Sequence, residues 1–85
     1  MPRDFDQVRH QLARNIRNLR RSKRLSQEQL ALNADVDRTY VSQIERAIGN
    51  PSLLVLCKLG LVLNVDIGAL LDADKKARPV KSAGS

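Results

Sequence analysis

Two helix-start signals only eleven residues apart, Ser26 and Asp37, constrain this chain more than any other feature. Ser26 is followed three positions later by Gln29, the reciprocal pairing of a capping box. Asp37 precedes a second apolar-periodic run as an N-cap whose carboxylate can accept from orphan backbone N–H groups. The first helix after Ser26 can therefore run only from Gln27 to about Asn33, about two turns. The chain must then turn at Ala34, Asp35 and Val36 before a further helix ends near Arg46. Val36, Val41 and Ile44 make one side of that helix apolar, while Arg38, Thr39, Ser42, Gln43 and Arg46 are left on the other. Ala31 supplies a small residue where the two helices cross, and Asp35 supplies a residue that tolerates the left-handed region at modest cost.

The flanking segments also read as helices. Phe5, Val8, Leu12, Ile16 and Leu19 recur at helical spacing and predict an amphipathic helix from about Asp6 to Arg21. At about 100° per residue, Arg9, Arg14, Arg17, Arg20 and Arg21 fall on one flank of that stripe, and Gln7, Gln11, Asn15 and Asn18 on the other. The arginine flank reads as a ridge facing phosphates. After a loop at 47–50 containing Gly49, Pro51 and Ser52 open another helix that Asn64 ends, and a last short one runs from Asp66 to about Leu71. In the fourth helix Leu53, Leu56, Leu59, Gly60 and Leu63 form one face, yet Leu54, Val55, Leu61 and Val62 lie on the others. A helix apolar nearly all round needs cover on more than one side, which a chain this small cannot supply alone. A second subunit is the expected cover.

Eighty-five residues make one compact domain, placed at residues 1–71, with residues 72–85 as a flexible basic tail. With Phe5 and Tyr40 as the only aromatics, the core must be aliphatic, and the expectation is an all-α bundle of five helices. The net charge of +6 favours a polyanionic partner. It is unevenly placed: residues 1–25 carry a net +6, residues 26–71 a net −2 and residues 72–85 a net +2. Cys57 and His10 are the only residues of their types, so neither a disulfide nor a multi-ligand metal site can form within one chain, and no cofactor is expected. His10 reads as an ordinary solvated side chain and Cys57 as a buried, inert thiol. No apolar run approaches the roughly 20 residues that span a bilayer, and the N-terminus has no apolar signal core, so the expected location is the cytoplasm.

The runs Ser26-Gln-Glu-Gln-Leu-Ala31, Val36-Asp-Arg-Thr-Tyr-Val-Ser-Gln-Ile-Glu-Arg46 and Asn50-Pro-Ser-Leu53 resemble the Cro/cI-type helix-turn-helix family of phage repressors and bacterial regulators. The resemblance covers about Gln11 to Leu71. Within it, Asp37 to Ser42 followed by Ile44-Glu-Arg46 is similar to the controller proteins of restriction-modification systems. Two positions depart from the family pattern: Asp35 and Ala47 stand where glycine is usual. The resemblance implies a lambda-repressor-like bundle and a sequence-specific transcription regulator whose third helix enters the major groove. There Arg38 can be bidentate to guanine, Gln43 can pair with adenine and Thr39 can touch a thymine methyl, with Ser42 beside them. Arg17, Gln27, Tyr40, Arg46 and Asn50 are the implied phosphate contacts, Gln27 through its amide and the backbone N–H at a helix start. Glu45 reads instead as the ion-pair partner of an arginine on the first helix.

The expected partners are a double-stranded, pseudo-palindromic DNA operator and a second copy of the chain, with Leu54, Leu61, Ile67 and Leu70 at the dimer interface. Neither a membrane nor a small-molecule ligand is expected. Control of its own gene, as a repressor or a restriction-modification controller, suits a chain without a ligand-binding domain. An enzyme would need a nucleophile-base set, a phosphate-cradling glycine loop or a metal cluster, and the sequence has none. The alternative is a protein-interaction module, such as an antitoxin, whose apolar fourth helix binds a different protein.

Overall fold

The computed structural model describes residues 1–73; most of the expected tail lies outside the described residues. Among them are five helices and no strand: α1 (Phe5–Ser22), α2 (Gln27–Ala34), α3 (Arg38–Glu45), α4 (Leu53–Leu63) and α5 (Ile67–Leu71). The expected all-α, five-helix architecture is what the chain adopts.

Local chemistry sets the helix starts. Ser26 and Gln29 form the expected capping box, and Asp37 accepts from the Thr39 backbone N–H at 2.8 Å. α1 starts at Phe5, one residue before the expected Asp6, because Asp4 and Gln7 form another capping box, the carboxylate accepting from the Gln7 N–H and the Gln7 side chain from the Asp4 N–H. Ser52 and Asp66 cap α4 and α5.

The turns depend on residues that accept positive φ. Asp35 ends α2 at φ 57°, ψ 47°, and Asn64 ends α4 at φ 60°, ψ 44°. Ala47 takes φ 56° after α3. A side chain in this region opposes the backbone, at a cost of roughly 1–2 kcal/mol per residue. At Gly60 the constraint is proximity, because a β-carbon would stand 2.8 Å from the Val65 carbonyl oxygen. That carbonyl belongs to the turn closed by the Val65 N–H on the Gly60 carbonyl at 3.0 Å, which sends α5 back over α4.

The core is aliphatic: Ile16, Leu30, Val41, Leu59, Leu63 and Leu70 are completely buried, one or more from each helix. Each contributes about 1.5–3 kcal/mol relative to an exposed side chain. Leu70 was expected at a dimer interface, but at 0% exposure it is a core residue. α5 is held there by Asn15 of α1, whose side-chain amide donates to the Leu70 and Asp72 carbonyls at 2.9 Å each, and by Arg3, ahead of α1, which donates to the Leu71 carbonyl at 2.8 Å. Phe5 lies on the apolar stripe of α1 but beyond the end of the core, and it is exposed beneath the Arg9 guanidinium.

α4 separates into two sides. Leu56, Leu59, Gly60 and Leu63 are buried, while Leu53, assigned to the same face, is exposed because the first turn overhangs the core. Cys57 is exposed rather than buried, since its place on the helix puts it between Leu54 and Leu61 on the outward side.

The Asp35→Gly variant is expected to stabilise the fold by about 1 kcal/mol, because glycine takes the left-handed conformation without the steric cost. Urea unfolding monitored by circular dichroism measures it as a rise in midpoint at unchanged slope.

Candidate nucleic-acid interface

α3 has one face locked and one open. Val41 and Ile44 are buried, and Arg38 and Thr39 on the opposite side are exposed with Ser42 and Gln43 half-buried beside them. Arg46, the C-cap, is exposed on the same side. The four expected base-reading residues thus form one continuous polar strip. The cap orients its start: hydrogen bonds from the Thr39 backbone and hydroxyl hold the Asp37 carboxyl below the usual carboxylate range, so the cap is charged at neutral pH.

The C-terminal end of α3 is fixed by a buried acid. Glu45, with a side chain only 3% exposed, accepts from Arg20 Nε at 2.6 Å and Nη2 at 2.9 Å, a bidentate pair across to α1. The Gln27 side-chain amide, at the start of α2, donates to the same carboxylate at 3.0 Å. Arg20 Nη1 also donates to the Leu25 carbonyl at 2.9 Å, tying down the α1–α2 connection. Burial alone would raise the Glu45 pKa. The hydrogen bonds from Arg20 and Gln27, with the charges of Arg20 and Arg17, outweigh burial and lower it. The expectation that Glu45 pairs with an arginine of the first helix is met by Arg20.

This network revises two phosphate assignments. Arg20 falls on the basic ridge by its spacing, but its guanidinium is turned into the protein by Glu45 and Leu25. Gln27 spends an amide N–H on Glu45, leaving the N–H groups of the first turn of α2 as its main resource for an anion. Arg9 is also committed, at 2.6 Å from Asp6. Arg21 remains exposed and Arg17 half-buried on α1. Tyr40 and Asn50 are exposed at the edge of the reading face and line a small cleft with Gln43. Ile48, also exposed in that cleft, was not picked out from sequence. The available signal was a lone large apolar residue in a loop otherwise made of turn formers.

Leu54, Cys57 and Leu61 form an exposed stripe on α4, Leu61 at 82%, with Ile67 half-buried on α5. Among the described residues there is no group of three or more His, Cys, Asp or Glu side chains arranged to hold a metal ion, and no helix long and apolar enough to cross a membrane.

A helix-turn-helix family model matches residues 16–70. The control protein C.SmaI of Serratia marcescens is 39% identical over 67 residues, covering 79% of this chain and 80% of that protein. The crystal structure of the restriction-modification controller protein C.AhdI from Aeromonas hydrophila superposes with a TM-score of 0.70 at 37% identity, covering 73% of this chain and 94% of that one. The biofilm master regulator SinR, solved in complex with DNA, superposes with a TM-score of 0.68 at 39% identity, covering 72% and 98%.

The Glu45→Gln variant is expected to lose roughly 3 kcal/mol of stability at about pH 7, since Arg20 keeps a buried charge without its counter-ion. Because folding lowers the Glu45 pKa, its contribution is full above the ordinary carboxylate range and is lost as pH falls through the depressed value. The gap between wild type and Glu45→Gln should therefore narrow toward about pH 3, as read by urea melts across that interval.

Proposed function

The chain belongs to the helix-turn-helix family of DNA-binding transcription regulators, and from that premise we propose that it binds a pseudo-palindromic operator as a homodimer and regulates its own gene. The observation that carries this is the polar strip of α3, set outward by Val41 and Ile44 beneath it and by the Arg20–Glu45–Gln27 network at its end. In the major groove Arg38 pairs with guanine O6 and N7, Gln43 with adenine N6 and N7, and Thr39 and Ser42 contact neighbouring base edges. Arg17, Tyr40, Arg46, Asn50 and the backbone at Gln27 fix the register on phosphates.

Dimerisation follows from α4. Leu54 and Leu61 present apolar surface that a monomer leaves in water, and Ile67 of α5 extends it. Residues 1–71 are the folding, DNA-binding and dimerisation unit in this arrangement. Two copies joined across α4 place their α3 helices in successive major grooves, about 34 Å apart. The similarity to the control protein C.SmaI and the restriction-modification controller protein C.AhdI supports action as a controller of a restriction-modification system, and that to SinR action as a DNA-binding transcriptional regulator. Both roles are carried out in the cytoplasm, where the DNA is. The family is one of DNA-binding regulators rather than enzymes, and the antitoxin alternative gains no support from the comparisons.

Selection from a randomised duplex library is expected to return a two-fold symmetric sequence. On it, Arg38→Ala should lose roughly 1–3 kcal/mol and relax preference at one base position per half-site. Arg17→Ala should weaken selected and scrambled duplexes alike and reduce the salt dependence by about one counter-ion. Equal losses on both duplexes for Arg38→Ala would remove it as a base reader. In sedimentation velocity, Leu61→Glu should turn a dimer into a monomer without changing the helical circular dichroism spectrum, and a wild type that is itself monomeric would refute the α4 interface.

A further inference from the structure

The cleft beside Gln43 has a volume of about 50 Å³ and is lined by Tyr40, Gln43, Ile44, Ile48, Asn50 and Pro51. None of these side chains is charged. Two left-handed residues, Ala47 at φ 56° and Gly49 at φ 81°, flank Ile48, and its N–H donates to the Gln43 carbonyl at 3.0 Å. The Ile48 backbone is thereby fixed at the end of α3, and its side chain stays 42% exposed instead of joining the core. The loop also lies against the Gln43 amide, since a β-carbon at Gly49 would stand 3.6 Å from Gln43 Oε1. An apolar side chain is thus set beside a polar group assigned to base reading.

Base edges in the major groove are polar with one exception, the 5-methyl group of thymine. A small uncharged cleft adjoining a reading amide suits that group, because three of its lining side chains, Ile44, Ile48 and Pro51, are apolar and carry no donor for a phosphate. We propose that Ile48, backed by Tyr40 and Pro51, receives the 5-methyl group of one thymine in each half-site, which makes it a specificity-determining residue outside the recognition helix. This rests on the assignment of α3 to the major groove. Gln43 and Ile48 then act together: the amide reads one base by hydrogen bonds, and the isoleucine distinguishes thymine from cytosine at a neighbouring position by contact with the methyl group.

The test replaces each thymine of the selected duplex, one at a time, by deoxyuridine, which removes the methyl group and leaves every hydrogen-bonding group in place. Fluorescence anisotropy should show wild type losing about fourfold in affinity at one thymine per half-site, the effect of burying one methyl group. Ile48→Ala should bind the thymine and uracil duplexes at that position within twofold of each other. Circular dichroism melting verifies that the variant folds, and Ile48→Thr takes its place if it does not. Three results overturn the proposal: no thymine whose methyl matters to wild type, a methyl effect undiminished in the Ile48 variant, or an Ile48 loss with no methyl effect, which would mark contact with deoxyribose. A library that yields no preferred sequence would refute the DNA-reading assignment itself, and this inference with it.

Discussion

One carboxylate holds three helices in place. Glu45 at the end of α3 takes two hydrogen bonds from Arg20 on α1 and one from Gln27 at the start of α2. A buried charge is costly unless it is paired and its remaining lone pairs are satisfied, so this arrangement tolerates little displacement of any of the three. The pair need not add much net stability compared with apolar residues of the same size. Its consequence is directional: a bidentate guanidinium–carboxylate contact fixes the end of α3 relative to α1 more narrowly than leucine packing alone. The start of α3 is set separately by the Asp37 cap, and the polar strip between these two points inherits its aim from both.

The rest of the core is nearly featureless aliphatic packing, so turn geometry carries much of the remaining specification. Asp35, Ala47 and Asn64 each hold positive φ without being glycine. The strain they carry is spread over the connections that position α3 and α5. Among the described glycines, Gly60 is the one where a β-carbon would crowd a neighbouring backbone atom, the Val65 carbonyl oxygen in the turn into α5. α4 therefore serves two masters: Leu56, Leu59 and Leu63 anchor the bundle, and Leu54, Cys57 and Leu61 point the opposite way. In the proposed dimer the same helix links the core beneath α3 to the partner subunit, so the spacing of the two reading faces is set by rigid packing rather than by a linker.

The helix pattern was legible because it is written in local chemistry. The Ser26–Gln29 box, the Asp37 cap, the Asp35 turn and the Asn64 stop each depend on residues within four positions of one another. The open face of α3 was legible too, since Val41 and Ile44 define its opposite. What spacing could not reveal was which neighbour each apolar or charged side chain would meet. Leu70 and Leu61 are both leucines on a short amphipathic pattern, and only the return of α5 onto α1, held by Asn15, decides that the first is core and the second is surface. Arg20 and Arg17 lie one turn apart on the same flank, yet Glu45 captures the first. Ile48 has no periodic signature because it lies in a loop, and its position depends on the left-handed turn at Ala47.

The central claim is that the outward face of α3 reads sequence. The measurement that tests it most directly is fluorescence anisotropy of the wild-type protein on the DNA upstream of its own gene and on a random duplex, each titrated between about 50 and 200 mM salt. Tighter binding to the upstream DNA by a factor of about 10³ or more, with both affinities falling steeply in salt, is the expected result. Weak binding of equal strength to the two duplexes at every salt concentration would contradict it.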